Sequence, residues 1–287
     1  MSILPADLRF SRRGGSGAML DCAEAGPHDG PLVLLLHGFP EFWYGWRGQM
    51  RALSESGFLV VAPDQRGYNK SDKPKGIPQY DLDRLAADVV SLADTYQRRT
   101  FAIVGHDWGG SVAWWTASLH PDRVRRLAVL NAPHPAIWQH AMEHDPQQRK
   151  LSWYVQFIAF PYLPEFLLRI SKNKGLEDAL KLSHNPPSEE DLGEYRNAWR
   201  QPDSMTSMLN WYRALLQRQL AVEQQARIRM PACLIWGRND PYGIPELAER
   251  SLALCDHGTI AWFNDATHWV QHDEPERVNR ILLEFLK

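Results

Sequence analysis

The sequence lacks any apolar run long enough to cross a membrane. Its longest such runs, for example 32–36 and 58–62, are far shorter than the roughly 20 residues that a transmembrane helix needs. Residues 1–15 place their arginines late and contain no apolar stretch followed by a small-residue cleavage site, so we expect no export signal. We therefore expect no membrane partner.

The sequence also has few cysteines and a small net charge. Cys22, Cys233 and Cys255 are odd in number and have neither metal-site nor redox spacing, which is typical of buried free thiols in a reducing compartment. The 287 residues carry a formal net charge of −2, which gives no reason to expect a nucleic acid partner. We expect a cytoplasmic protein that acts on a small molecule without a metal or other cofactor, and the sequence leaves its oligomeric state open.

Four apolar runs end in polar or glycine-rich turns, at 31–40, 58–67, 101–110 and 231–240. Continuous apolar runs separated by helical patterns predict parallel strands that are covered on both faces by helices, an α/β fold. Ligands of open α/β sheets bind at the carboxyl ends of the strands, so we expect the functional residues in these turns.

About a hundred residues between the predicted strand 127–130 and the strand near Ala232 have little strand signal but many aromatic residues at helical spacing. We interpret residues 134–228 as a helical cap. The cap would interrupt an α/β core formed by residues 1–133 and 229–287.

The predicted cap begins at the proline-rich stretch 131–135 and ends at the polar run 223–229. Beyond it, the pattern predicts a helix over 245–254, a strand over 259–263 and a closing helix over 274–286 with one apolar face.

Residues 105–110, Gly-His-Asp-Trp-Gly-Gly, have the form of a strand-to-helix elbow with Asp107 where serine is usual. Gly105 and Gly109 let the backbone cross closely, and the helix N-terminus favours an anion. The alternative is a buried aspartate that caps a helix. A carboxylate nucleophile needs no activating base, and its sensible target is saturated carbon, in an epoxide or an alkyl halide, which gives an alkyl ester.

Hydrolysis of such an ester requires a base that activates water, and His268 lies in the C-terminal loop where this elbow fold supplies one. The chain has 11 histidines, so the position carries this prediction rather than the residue type. Asp240, just after a buried strand, is the candidate that orients His268. Asn131 occupies another place where the fold can mount the acid, and being neutral it leaves Asp240 as the better choice. The alternatives are a surface histidine and a turn-forming aspartate.

The oxyanion of the hydrolysis step needs backbone donors. His37-Gly38-Phe39 follows the first strong strand, so the expected donors are the amides of Phe39 and Trp108. Alternatively, Gly38 and Pro40 only shape a tight turn.

These motifs together resemble the epoxide hydrolase branch of the α/β-hydrolase superfamily over nearly the whole chain. The segments that carry the resemblance are HGFPEFWYGWR (37–47), DQRGYNKSDKP (64–74), GHDWGG (105–110), NAPHP (131–135), NWYR (210–213), WGRND (236–240) and THWVQHDEP (267–275). The resemblance implies an α/β-hydrolase fold with a cap, and an enzyme that converts epoxides and water to vicinal diols through an ester on Asp107.

The resemblance also implies two cap tyrosines that hydrogen-bond the epoxide oxygen. They match Tyr154, in Ser-Trp-Tyr, and Tyr212, in Asn-Trp-Tyr-Arg. An opening epoxide releases an alkoxide, which leaves poorly unless it is hydrogen-bonded or protonated, and a phenol can supply that proton. Without the resemblance, both residues would be interpreted as packing residues.

Two other functions stay open. A haloalkane or haloacetate dehalogenase shares the fold, the aspartate and the base, but the haloalkane enzymes usually have His-Gly-Asn where this chain has His37-Gly38-Phe39, and the fluoroacetate enzymes have arginines where this chain has Trp108 and Ser111. A non-catalytic small-molecule-binding relative is the second alternative. It would be expected to lose part of the catalytic set that this chain retains.

Overall fold

One mixed sheet forms the centre of the fold. The structure, a computed structural model, describes residues 4–220 and 227–287. In these residues, eight strands pair in the order β1-β2-β4-β3-β5-β6-β7-β8. They are β1 (Arg9–Gly14), β2 (Met19–Ala25), β3 (Leu32–Leu36), β4 (Leu59–Pro63), β5 (Phe101–His106), β6 (Val124–Leu130), β7 (Ala232–Gly237) and β8 (Gly258–Phe263). β2 pairs antiparallel with both β1 and β4, and all other pairs are parallel, so the predicted mostly parallel α/β sheet is confirmed.

Helices cover the sheet and fill the long connection between β6 and β7. The core helices are α1 (Arg47–Glu55), α2 (Leu82–Thr95), α3 (Trp108–Leu119), α11 (Glu246–Leu252), α12 (Val270–Asp273) and α13 (Pro275–Leu286). The connection contains α4 (Pro135–His144), α5 (Pro146–Leu151), α6 (Trp153–Ala159), α7 (Leu163–Ile170), α8 (Lys174–Leu180), α9 (Glu189–Trp199) and α10 (Ser204–Leu216).

The central strands are buried on both faces, which is why they read as continuous apolar runs. Successive side chains of a strand point to opposite faces. Leu34 and Leu36 of β3 accordingly belong to one apolar cluster, together with residues of α2 and α3, whereas Val33 and Leu35 belong to a second cluster with residues of α1 and α13. The prediction of helices on both faces is confirmed.

The helical content of the predicted cap follows the sequence pattern. Pro135 begins α4, and Ser188 begins α9 by a capping box in which its hydroxyl accepts from the Asp191 amide while the Asp191 carboxylate accepts from the Ser188 amide. Of the polar run 223–229, which was predicted to end the cap, residues 223–226 lie outside the described part of the chain.

The strands β1 and β2 were not predicted, because β1 is largely polar and the apolar residues of β2 are interrupted by Asp21 and Glu24. Glu24 of β2 is only 1% exposed, yet it accepts a hydrogen bond from the Tyr96 hydroxyl at 2.6 Å and pairs with Arg13 at 3.4 Å. These partners satisfy the buried carboxylate, which a hydrophobic pattern does not anticipate.

Hydrogen bonds from tryptophan side chains join two helices of the connection between β6 and β7 to the loops that follow β3 and β4. Trp211 of α10 donates its indole N–H to the Arg66 carbonyl at 3.0 Å, and Trp199 of α9 donates to the Pro40 carbonyl at 2.6 Å. Both indoles are buried, so these bonds hold α9 and α10 over the carboxyl ends of β3 and β4. Among residues 4–220 and 227–287, no helix combines the length and apolar character that crossing a membrane requires.

Candidate active site

Asp107 lies at a sharp turn between β5 and α3. Its backbone has φ 50° and ψ −121°, a conformation that residues with a Cβ rarely adopt. The glycines around it are necessary, since a Cβ on Gly105 would lie 2.2 Å from the Gly109 carbonyl oxygen and a Cβ on Gly109 would lie 2.0 Å from that of Leu36. The turn therefore projects the Asp107 carboxylate above the sheet.

The two oxygens of the Asp107 carboxylate have different neighbours. Oδ1 accepts a hydrogen bond from the Phe39 amide at 2.8 Å, and Oδ2 lies 3.6 Å from Nε2 of His268. Burial alone raises the pKa of this carboxyl, but His268, His106 and the Phe39 amide outweigh burial and lower it below its ordinary value. The group is therefore ionised at neutral pH, as a nucleophile must be.

His268 lies between two carboxylates. Its Nδ1 is 2.8 Å from Oδ2 of Asp240, and its side chain is buried. Burial by itself lowers the pKa of His268, but the carboxylates of Asp240 and Asp107 raise it to about 10. In the free protein His268 is thus the cationic partner of both.

Asn131 supports Asp240 rather than replacing it. Its Nδ2 donates to Oδ2 of Asp240 at 2.8 Å, and its Oδ1 accepts from the Gly237 amide at 2.9 Å. The other oxygen of Asp240 accepts from the Tyr242 amide at 2.8 Å. With these donors and His268, both Asp240 oxygens are held in one orientation.

Hydrogen bonds from Gln65 hold the loop that carries Phe39. Gln65 donates its side-chain amide to the His37 carbonyl at 2.6 Å, while its backbone amide lies 3.0 Å from Nε2 of His37. Burial lowers the pKa of His37 to about 4, so this ring is neutral. Gly38 allows the close approach, because a Cβ there would lie 2.5 Å from Oδ1 of Asp107. Trp108, the other predicted oxyanion donor, is the first residue of α3 and directly follows Asp107.

The two predicted tyrosines face the same cavity as Asp107. The rings of Tyr154 on α6 and Tyr212 on α10 meet edge to face with centroids 6.1 Å apart. Burial and the neighbouring Asp107 carboxylate raise the pKa of both phenols well above the ordinary value. Both hydroxyls are therefore proton donors over the whole neutral range.

The segment 210–213 explains how Tyr212 is positioned. Trp211 anchors α10 to the core, while the buried Arg213 pairs with Glu165 at 2.7 Å and donates to the carbonyls of Ile158 and Phe160 at 3.1 and 2.8 Å. Arg213 thus holds the end of α6 against α10, and so fixes Tyr154 relative to Tyr212.

Three residues near the site have no role that the sequence motifs indicate. Tyr242 packs its ring edge to face on His268 at 5.0 Å and on Tyr154 at 5.6 Å. Behind the elbow, the buried Glu41 lies 3.6 Å from Nδ1 of His106, whose Nε2 is 2.9 Å from the His268 carbonyl. Tyr242 follows Asp240 by two residues, next to a turn expected to hold functional residues, and this position could have indicated it. Glu41 and His106 lie within the quoted segments 37–47 and 105–110, but nothing in those segments indicates a role for their side chains.

The structure thus gathers Asp107, Asp240, His268, Tyr154 and Tyr212 around one cavity, beside the Phe39 amide. The arrangement combines an ionised carboxylate, an imidazole aligned by a second carboxylate, and two phenolic donors. Within the described ranges, no group of three or more His, Cys, Asp or Glu side chains is placed to hold a metal ion.

An elbow of this kind at the carboxyl edge of such a sheet defines a class of protein. The family model described as the α/β hydrolase fold matches residues 31–275, and the chain belongs to that family. Relatives assign the chain to the epoxide hydrolase branch of this family. The chain is 34% identical over 270 residues to epoxide hydrolase 2 of Caenorhabditis elegans, and this alignment covers 92% of this chain and 76% of the relative. The resemblance inferred from the motifs is therefore confirmed.

Two further proteins are similar to this chain along nearly their whole lengths. The AB hydrolase superfamily protein YfhM of Bacillus subtilis is 42% identical over 274 residues, covering 95% of this chain and 96% of the relative. A solved structure of an epoxide hydrolase from hot-environment metagenomes superimposes with a TM-score of 0.87 at 34% identity, covering 97% of this chain and 98% of that one.

Proposed function

We propose that this protein is an epoxide hydrolase that forms a covalent ester on Asp107 and releases a vicinal diol. One observation carries the proposal: the Asp107 carboxylate has His268 on one side and faces a cavity that Tyr154 and Tyr212 also line. The family membership and the names of the relatives support it.

In the first step, Oδ2 of Asp107 attacks one epoxide carbon. Oδ1 is engaged by the Phe39 amide, so Oδ2 is the freer oxygen. As the carbon–oxygen bond of the ring breaks, the electron pair moves to the departing oxygen, which takes a proton from a hydroxyl of Tyr154 or Tyr212. The product is a hydroxyalkyl ester of Asp107.

In the second step, Nε2 of His268 removes a proton from water, and the resulting hydroxide attacks the carbonyl carbon of the ester. Negative charge develops on Oδ1, where the Phe39 amide already donates at 2.8 Å and the Trp108 amide is the proposed second donor. Collapse of this intermediate breaks the ester bond, and the departing alkoxide takes the proton of the carboxylic acid that forms on Asp107. The diol and the Asp107 carboxylate are thereby restored, and His268 keeps the proton it took from water, as in the free protein. Asp240 stabilises the imidazolium meanwhile.

Formation of the ester also changes the pKa of His268 in the direction that hydrolysis requires. Asp107 is one of two carboxylates that raise the pKa of His268 in the free protein. Alkylation removes that negative charge, so the pKa of His268 falls. The His268 proton can then pass to the phenolate left by the first step, and the neutral imidazole becomes available as a base. Asp240 remains to orient it.

The same aspartate could in principle displace halide, but the surroundings favour an epoxide. A halide leaves without a proton, so it gains little from two phenols whose raised pKa values keep them protonated. The proposed base His268 and its partner Asp240 lie beside Asp107, which argues against a protein that only binds small molecules without catalysis.

We also propose that residues 134–228 act as the cap that closes the site of a core made of 1–133 and 229–287. The supporting feature is that α6 and α10 of this segment bring the two tyrosines to the cavity. The three cysteines are free and buried, consistent with the proposed cytoplasmic location.

A single turnover in water enriched in heavy oxygen tests the covalent route. With enzyme in excess over styrene oxide, the label should enter the Asp107 carboxylate and not the first diol, because water attacks the ester carbonyl. Label that enters the first diol and spares the Asp107 peptide would overturn the proposal. A parallel panel with a haloalkane and a 2-haloacid separates the functions, since released halide without diol formation would identify a dehalogenase.

A further inference from the structure

Two cavities of unequal size meet at Asp107. The larger is about 330 Å³ and the smaller about 70 Å³. Both are lined by the same five side chains, those of Asp107, Tyr154, Tyr212, Tyr242 and His268. We name the larger cavity the long arm and the smaller one the short arm. An epoxide that lies against Asp107 therefore directs the substituents of its two carbons into different spaces.

The long arm is built by the cap and is apolar. Its walls include Phe157 and Ile158 of α6, Leu168 of α7, Leu176 of α8 and Leu209 of α10. Its volume lies within the range of about 300–1,000 Å³ that is usual for small-molecule sites. The long arm can therefore hold an extended hydrocarbon or aryl group.

The short arm is confined by buried core residues and by the cap. Trp138 of α4 and Leu215 of α10 close it on the cap side, and Trp236 and Leu247 on the core side. Trp236 and Leu247 are at most 1% exposed and pack in the apolar core. Moving them to enlarge the short arm would therefore disrupt core packing. The short arm is therefore suited to hydrogen or a small group.

Neither arm offers a partner for a charged substituent. Among the described residues that line them, the charged side chains are Asp107 and Asp240 with their shared partner His268. A carboxylate carried into the long arm would lie unpaired among apolar walls, which is costly. The substituent must therefore be neutral.

The outer surface of the cap fits the same class of ligand. Trp153, which lines the long arm, is 67% exposed, so this arm reaches the protein surface. On the adjoining α7, Leu163, Phe166 and Ile170 are also exposed. An apolar surface at this point favours the approach of lipophilic molecules.

We infer that the substrates are neutral, one-sided epoxides: terminal epoxides that carry one extended apolar substituent, which occupies the long arm. This inference rests on the proposed function and adds the substrate class to it. Its basis is that the two cavities beside Asp107 differ in volume and that, among the described residues, their walls carry no charged side chains other than Asp107, Asp240 and His268.

Isomeric epoxides provide the test. The terminal 1,2-epoxyoctane and the internal trans-4,5-epoxyoctane have the same formula, but the internal isomer must place a propyl group in the short arm. One methylene in a hydrophobic pocket changes kcat/KM by about 10- to 200-fold, so we expect the terminal isomer to be favoured by about 100-fold or more. The anion of 7,8-epoxyoctanoic acid should react at least about tenfold more slowly than 1,2-epoxyoctane.

Two matched leucine variants assign the preference to the short arm. Leu215→Ala should raise the ratio of kcat/KM for trans-4,5-epoxyoctane to kcat/KM for 1,2-epoxyoctane about tenfold. Leu176→Ala, which removes an equally buried leucine from the long arm, should give no such gain. Thermal unfolding of both variants checks that they are folded.

Similar kcat/KM values for the two isomers, or an isomer ratio that Leu215→Ala leaves unchanged in a folded variant, would overturn the inference. A protein that forms no diol from any of the three epoxides would instead overturn the proposed function itself. The two failures are thus distinguishable.

Discussion

Oδ2 of Asp240 lies 2.8 Å from Nδ1 of His268 and accepts a second hydrogen bond from Asn131, also at 2.8 Å. One carboxylate oxygen therefore ties the imidazole to the loop after β6. In the proposed mechanism Asp240 is the acid that orients the base, and Asn131 contacts the same carboxylate oxygen. A carboxylate at position 131 could therefore take the place of the one at position 240.

We expect Asp240→Asn to slow hydrolysis of the ester by about 10³- to 10⁴-fold, because the imidazolium loses its carboxylate partner. The double variant Asn131→Asp with Asp240→Asn returns one carboxylate to the neighbourhood of His268 and should recover at least about tenfold of that loss. Decay of the ester, followed by rapid quench and intact mass, measures both. A single Asp240→Asn variant that hydrolyses the ester at the wild-type rate would remove Asp240 from the mechanism.

The variant His268→Gln should trap the ester. Attack by Asp107 needs no base, so alkylation proceeds, while water activation is lost and the adduct persists. The expected result is an increase in intact mass equal to the mass of the substrate, and digestion should locate it in the peptide that contains Asp107. Adding Asp107→Ala to the same variant is the control and should abolish the adduct. A correctly folded His268→Gln protein that never gains mass would contradict a covalent route.

Much of this site was predictable because strand ends, glycines and chain order are local features. The elbow at Asp107 and the turns holding Asp240 and His268 could all be located from apolar runs that stop abruptly. Tyr242 and the shapes of the two arms could not, since they depend on how distant helices pack. Glu24 shows the same limit for the fold: only its three-dimensional partners explain why a carboxylate lies in a buried strand.

Tyr212→Phe should slow formation of the ester by about 100-fold with an epoxide, because the alkoxide loses one of its proton donors. Tyr154→Phe should act in the same direction, and the double variant should be slower than either. In the His268→Gln background, the rate at which the adduct appears reports this step alone. A haloalkane serves as the control, since halide leaves without a proton and its displacement should be nearly unaffected. Equal losses for epoxide and halide would instead indicate a packing role for the hydroxyls.

The two chemical steps should respond differently to pH. Asp107 has a lowered pKa and both phenols have raised ones, so the alkylation rate should be flat between about pH 5 and 9. Hydrolysis needs neutral His268. Its pKa of about 10 in the free protein falls when Asp107 is esterified, so the hydrolysis rate should rise with pH and level off below pH 10. Rapid-quench measurement of adduct formation and decay separates the steps, and an ester that decays faster in acid would contradict this role for His268.

The elbow itself can be tested through two glycines that differ in the space around them. A Cβ on Gly109 would lie 2.0 Å from the Leu36 carbonyl oxygen, whereas a Cβ on Gly193 in α9 would contact nothing within 4 Å. Gly109→Ala should therefore reduce the free energy of unfolding by about 3 kcal/mol or more, because a backbone oxygen of a central strand cannot move aside. Gly193→Ala should increase it by about 0.5–1 kcal/mol, since alanine favours a helix interior. Urea unfolding measures both. A Gly109→Ala variant as stable as the wild type would contradict this prediction. It would mean that the turn at Asp107 is not packed tightly against β3.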